Sequence, residues 1–296
     1  MPLWIPITLA AAAVQTWRFF LQKQLKTAGL STGAASFARF VFAAPLAIGL
    51  TLAVLTTTGA DMPGLPPTFW AYGAVGGFCQ VVATMATVAL FARRNFAVGI
   101  AFTKSETLMV AGFSLLILGE GVSNAAIAAM AIGVVAVVLL SLPKNAGLRL
   151  DGPSAGLGLL AGGCFAMSAI GYRGATLALG DAPYFLRAAV ALAAVTTMQS
   201  LGMAVWLRWR EPGALQAVAR AWRVTAAVGV TGMLGSLGWF TAFTLQNAAI
   251  VRAVGQVELI FSILVSAILL SEMPNRRELL GIALLAASVV GVILSG

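Results

Sequence analysis

The sequence predicts an all-α integral membrane protein: ten transmembrane helices arranged as two inverted five-helix repeats around a central cavity. Three observations predict it. The first is composition. Of 296 residues, 60% are hydrophobic and only 9% charged, with a mean hydropathy of +0.97, whereas a soluble domain carries about 25% charged residues. A soluble fold cannot bury that much apolar surface and still present a wettable exterior, so the bilayer is the solvent. The second is the recurrence of apolar stretches of about 18 residues or more along the whole length, each long enough for roughly 30 Å of hydrocarbon. The third is self-similarity at an offset of 152 positions. That shift lays Trp70 on Trp222, Gly77 on Gly229, Phe91 on Phe243 and Asn95 on Asn247, then Glu106 on Glu258, Ser114 on Ser266, Leu118 on Leu270 and Glu120 on Glu272. So long a repeat in so apolar a chain points to a carrier built from two related halves.

The first span, 3–28, opens in the apolar run Met1 to Val14, which lacks the basic leader of a cleaved signal. Span 2 at 32–55 is followed by the turn signal Met62-Pro63-Gly64, and span 3 runs 67–92. Spans 4 and 5, at 95–118 and 122–141, meet near Gly119-Glu120. Leu142 to Pro153, with Pro143 and Asp151-Gly152-Pro153, is the longest polar segment near the midpoint, and it joins a first repeat at 1–150 to a second at 151–296. Spans 6 to 10 follow at 154–178, 183–207, 220–246, 249–271 and 275–295, with Glu211-Pro212-Gly213 between spans 7 and 8. Five crossings per half is an odd number, so the second copy enters the membrane from the opposite side. Halves inverted in this way can exchange conformations, the arithmetic of alternating access.

The net charge of +9 would suggest a nucleic-acid partner in a soluble protein. Here the basic residues sit between spans, without a basic surface interleaved with aromatics, and no nucleic acid is expected. Lys23, Lys26, Arg93, Arg94, Lys144, Arg149, Arg208, Arg210, Arg220, Arg223, Arg276 and Arg277 follow the odd-numbered spans. The opposite loops have little beyond Arg173 and Arg252, so both termini are expected on the non-cytoplasmic side. There is no histidine, and Cys79 and Cys164 lie within apolar runs without ligand spacing. No HExxH, Gly-x-Ser-x-Gly or Walker pattern occurs, and no soluble domain could hold a nucleotide. No metal, cofactor, enzymatic activity or ATP dependence is expected. Both halves lie in one chain, so a monomer suffices.

Gly229, Gly232, Gly235 and Gly238 in span 8, and Gly156, Gly158, Gly162 and Gly163 in span 6, read as close-packing positions in lipid. They also ease bending, which makes span 8 a candidate moving element.

Polar residues inside spans are costly in lipid and usually face a cavity or a partner. Gln15, Arg18 and Gln22 form a stripe on span 1. It reads either as a wall of the substrate path, with Arg18 meeting a carboxylate, or as side chains snorkelling toward Lys23 and Lys26. Span 3 offers Gln80, Thr84 and Thr87 on one face, and its counterpart span 8 offers Trp239, Phe243 and Gln246. A small amphipathic ligand needs such a pair of walls. Spans 4 and 9 carry Lys104 and Glu106, and Arg252, Gln256 and Glu258. The expected substrate is a small zwitterion such as an amino acid, hydrogen-bonded by Gln15, Gln80 and Gln256 beside Thr84. Trp17, Trp239 and Phe243 supply apolar walls, Arg252 or Lys104 meets the carboxylate, and Glu106 or Glu258 meets the ammonium or serves coupling and gating. The competing reading is a static ion pair, for instance Lys104 with a Glu of the other half. Glu120 and Glu272 read as structural, capping a helix or closing a loop contact.

Ala89-Leu90-Phe91 through Gly119-Glu120 with Gly133 beyond, doubled as Phe243-Thr244-Leu245 through Ser271-Glu272 with Gly281 and Gly291 beyond, resembles the drug/metabolite transporter superfamily, EamA type. The resemblance covers essentially the whole chain and is nearest to that family's amino-acid exporters. It implies a bacterial-type inner-membrane exporter of small metabolites that works by alternating access without ATP. Its partners would be a small-molecule substrate and the lipid bilayer. Arg93-Arg94-Asn95 stands where the family carries an aromatic-rich turn, and many relatives are thought to keep their termini in the cytoplasm. Proton-coupled efflux of lipophilic cations is the alternative within transport, and a membrane-embedded enzyme or scaffold the alternative outside it.

Overall fold

A computed structural model describes residues 1–27, 29–90, 103–141, 152–270 and 275–295. Phe91, Arg93, Arg94, Asn95, Lys144, Arg149 and Glu272, the start of span 4 and most of the joint between halves lie outside the described residues. The described residues are helical with no strand. Six helices are long and apolar enough to cross a membrane: Thr32–Thr58, Pro67–Leu90, Gly152–Leu177, Tyr184–Arg210, Trp222–Leu245 and Arg276–Ser295. Leucines and valines such as Leu116, Leu201, Val205 and Leu294 point outward and exposed, as a bilayer solvent allows.

Helix α1 is Trp4–Thr27. α2 (Thr32–Val41) starts on Ser31, whose Oγ accepts from the Ala34 amide at 3.0 Å. α3 (Ala43–Thr58) continues the same span after a bend at Phe42 and ends on left-handed Gly59. Pro45 accounts for the bend, because it has no N–H to offer the Val41 carbonyl and its ring crowds that oxygen. α4 is Pro67–Leu90. α5 (Glu106–Phe113) runs into a π-helical turn, Ser114–Leu118, that stops at left-handed Gly119. α6 is Asn124–Ser141, α7 Gly152–Leu177, α8 Tyr184–Arg210, α9 the short Ala214–Arg220, and α10 Trp222–Leu245. α11 (Ala248–Gly255) is capped by Asn247 and α12 is Glu258–Leu270. α13 (Arg276–Ser295) opens with a reciprocal capping box, Asn275 with Glu278.

Two spans expected to be continuous helices contain a turn. The chain turns at Lys104 and Ser105 before α5, and at Gln256 and Val257 between α11 and α12. The two breaks fall at the same place in the repeat, since 104 + 152 = 256. α10, the candidate moving element, is unbroken. Its glycines face neighbouring helices. A Cβ on Gly238 would lie 2.8 Å from the Ala11 Cβ on α1, and one on Gly232 would lie 3.1 Å from the Arg39 Cγ on α2. Close packing is the role these positions serve.

One end of the bundle brings Ser31 against the α8–α9 turn, where its hydroxyl donates to the Glu211 carboxylate. Lys23, Arg208, Arg210, Arg220 and Arg223 are exposed there with Trp209 and Trp222, the pairing of basic residues and tryptophans that marks a membrane interface. The opposite end gathers Glu120, Arg173, Thr244 and Asn247.

Candidate substrate site

The two helix breaks place two carboxylates. Glu106 and Glu258 each begin a half-helix, α5 and α12, where unsatisfied amides and the helix dipole favour negative charge. Each acid takes a base from the opposite half of the sequence. Arg252 Nε lies 2.5 Å from Glu106 Oε1, and Nη2 donates to Oε2 at 2.6 Å, an ion pair carried by one charge-assisted hydrogen bond. Lys104 pairs with Glu258. Gln15 Nε2 also donates to Glu258 Oε2 at 2.8 Å, and Trp239 Nε1 donates to Gln15 Oε1 at 3.0 Å. The Arg252 guanidinium sits 4.6 Å from the centre of the Trp239 ring, a cation–π contact. Trp239 in turn stacks 5.9 Å from Phe243. Gly255 admits the indole, because a Cβ there would collide with it.

Beside these pairs lies a cavity of about 30 Å³, room for roughly two waters. Of the residues expected at a site, Gln15, Gln80, Glu106, Trp239, Phe243 and Arg252 line it. Arg39, Ser168, Tyr172, Ser236 and Phe240 line it too, and sequence reasoning did not select them. Arg39 had a signal. It is a lone charge inside Phe37-Ala38-Arg39-Phe40-Val41, and the rule that singled out Lys104 applies to it equally. Ser168, Tyr172 and Ser236 carry no such signal, since hydroxyls are common in helices.

Arg39 is 5% exposed. Its Nη1 donates to Thr84 Oγ1 at 3.0 Å and its Nη2 to Ser236 Oγ at 3.4 Å. With the Gln80 amide turned so that its oxygen faces the guanidinium, that oxygen accepts from Nη1 at 2.7 Å and Nη2 at 3.0 Å, and its nitrogen donates to Ser168 Oγ at 2.6 Å. Thr84 therefore serves behind the cavity wall. Lys104 does likewise, by neutralising Glu258.

Three expectations change. Trp17 is 45% exposed on the outer side of α1 and packs on Phe20. It does not wall the cavity, because positions two apart on a helix face opposite ways and Gln15 points inward. Gln256 is buried away from the cavity, its Nε2 3.5 Å from where a Gly133 Cβ would sit. Arg18 does not snorkel. It is 2% exposed, donates through Nη1 to Gln22 and lies over the Phe19 ring at 4.3 Å.

At the end of the bundle away from the basic residues, Arg173 ties α7 to Glu120 and to the C-terminal end of α10. Its Nε lies 3.1 Å from both Glu120 oxygens, and its Nη2 lies 2.6 Å from Oε1. Nη1 donates to the Phe243 carbonyl at 2.6 Å and the Thr244 carbonyl at 3.2 Å. Glu120 thus makes the loop contact its sequence position suggested. Arg173→Ala is expected to lower stability by about 2 kcal/mol, measured by melting in detergent. Exposed Arg208→Ala should change it by less than about 0.5 kcal/mol.

No family model matches the chain, and no curated protein matches it. A solved crystal structure of a protein shares its fold with a TM-score of 0.72, covering 98% of this chain and 97% of that one at 15% identity. The likeness is one of fold.

Proposed function

We propose that the chain is a carrier that exports small carboxylate-bearing metabolites, amino acids among those to be tested, across a bacterial-type inner membrane by alternating access without ATP. The observation that carries this reading is the pair of helix breaks, at Lys104–Ser105 and Gln256–Val257, whose half-helices α5 and α12 are tied together by the crossed pairs Arg252–Glu106 and Lys104–Glu258. Discontinuous helices that place half-helix N-termini and charged side chains at one central point are how repeat-built carriers hold substrates.

The packing supports two inverted halves. The most extensive helix contacts are α4 with α7, α6 with α13, α1 with α10, and α3 with α8. Exchanging the halves turns the first pair into the third and maps the other two onto themselves. In this reading the bent span α2–α3 and the spans ending in α5 and α12 each count as one crossing, which makes ten crossings with both termini on the non-cytoplasmic side. The crossed pairs Arg252–Glu106 and Lys104–Glu258 then join one half to the other, as contacts that break and re-form would. The resemblance to the drug/metabolite transporter superfamily agrees with this reading. Efflux of lipophilic cations fits less well, because both mid-span acids are already engaged by bases.

The test is solute exchange in proteoliposomes preloaded with unlabelled amino acids and organic acids, with labelled solutes or a lipophilic cation outside. Exchange of a carboxylate-bearing solute without an imposed gradient is the expected result. Folded protein that moves none of the panel would overturn the carrier reading.

A further inference from the structure

Among the described residues, the charges buried around the cavity do not cancel. Arg18, Arg39, Lys104 and Arg252 are at or below about a tenth exposed or line the cavity, and so do Glu106 and Glu258. Among the described residues, Glu106 is taken by Arg252 and Glu258 by Lys104 with Gln15. Two guanidiniums are left over. The hydrogen bonds of Arg39 go to Thr84, Ser236 and Gln80, all neutral, and its Nε has no partner among the described residues. Among the described residues Arg18 donates to neutral Gln22 and lies over the Phe19 ring, and its Nη2 has no hydrogen-bond partner. The two lie together: a Cβ at Gly232 would be 3.1 Å from Arg39 Cγ and 3.6 Å from Arg18 Cδ.

Neutral dipoles satisfy donors without neutralising charge, and a buried charge without a counter-charge is strongly destabilising. An arginine held at 5% exposure on a cavity wall, flanked by a second unneutralised arginine, is therefore built to receive a negative group. Among the described residues the expected zwitterion finds no free acid at the cavity for its ammonium. A planar carboxylate matches the fork geometry of a guanidinium.

Resting on the carrier reading above, we propose that the substrate is a small organic anion whose carboxylate docks on Arg39 in the central cavity, with Arg18 supplying the second positive charge. Tyr172, Trp239, Phe240 and Phe243 surround the body of the ligand. The cavity holds the carboxylate head as it stands, and the body enters as the helices part. The site selects anions over zwitterions and neutral isosteres.

The experiment measures binding of acetate and benzoate, and of the matched amides acetamide and benzamide, to purified protein by thermal shift and calorimetry. Phenylalanine serves as the zwitterion, and flux of the same solutes is followed in proteoliposomes. Wild-type protein is expected to bind the carboxylates at least about tenfold more tightly than the amides, and Arg39→Gln to lose that preference, whereas Arg39→Lys retains part of it. The comparison of carboxylate with amide needs no variant, so a folding defect in Arg39→Gln does not blur it. Equal binding of acid and amide, no carboxylate binding, or tighter binding of phenylalanine than benzoate would overturn the anion site. Carboxylate binding without flux of any solute would leave this site standing and remove the carrier. Flux of phenylalanine without carboxylate binding would do the reverse.

Discussion

Replacing Glu258 by alanine is expected to destabilise the protein by about 3–5 kcal/mol, the usual result of removing one partner of a buried ion pair. The reason is local and threefold. Lys104, 9% exposed, loses its counter-charge. Gln15 loses the acceptor that fixes its amide, and with it the orientation of Trp239. The N-terminus of α12 loses its acid. The charge-free double variant Lys104→Met/Glu258→Leu should recover most of the loss, since apolar replacement of both partners is often neutral. Melting the single and double variants in one detergent decides the matter. A double variant no more stable than Glu258→Ala would mean that the pair does not carry the energy assigned to it.

Gly171→Leu has the second largest expected effect. A Cβ at Gly171 would lie 2.6 Å from Gly76 Cα and 2.7 Å from the Tyr72 carbonyl oxygen. Those atoms are backbone and cannot rotate aside, so α4 and α7 must separate. Overpacking of this kind costs about 1–3 kcal/mol or more, and Gly171→Ala should show a graded, smaller loss. Gly156→Ala on the same helix meets nothing within 4 Å, and the better helix propensity of alanine should leave stability unchanged or up to about 1 kcal/mol higher. Equal melting of Gly171→Leu and Gly156→Ala would show that the α4–α7 crossing does not depend on glycine.

Six of the expected spans were legible in the sequence because apolar length and turn residues decide where a chain can cross lipid. Span 3, expected at 67–92, appears as Pro67–Leu90, and span 8, expected at 220–246, as Trp222–Leu245. The breaks at Lys104–Ser105 and Gln256–Val257 were not legible. Neither contains proline or a turn signature, and both arise where the two halves meet around Trp239, Gly255 and the crossed ion pairs. The candidate site was legible in part. Gln15, Gln80, Trp239, Phe243 and Arg252 converge on one cavity, since polar and aromatic positions in a span must find one another. Trp17 leaves the cavity because the helical angle between it and Gln15 turns it to the outer side of α1. The fate of the two acids was legible in part: the alternative of a static pair between Lys104 and a Glu of the other half is the contact Lys104 makes with Glu258, whereas the partner of Glu106, Arg252, depended on which helix faces it. Arg39, a charge amid aromatic and apolar residues, was legible by the same rule that marks Lys104.

The central claim is that one cavity serves both faces of the membrane in turn. Ser236 lines that cavity beside Arg39, which makes Ser236→Cys, in a background lacking Cys79 and Cys164, the position to probe with a membrane-impermeant thiol reagent. Applied separately to each face of oriented proteoliposomes, the reagent is expected to reach the cysteine from both, and benzoate to slow the reaction on both. Reaction from one face alone, whatever solutes are present, would contradict the account.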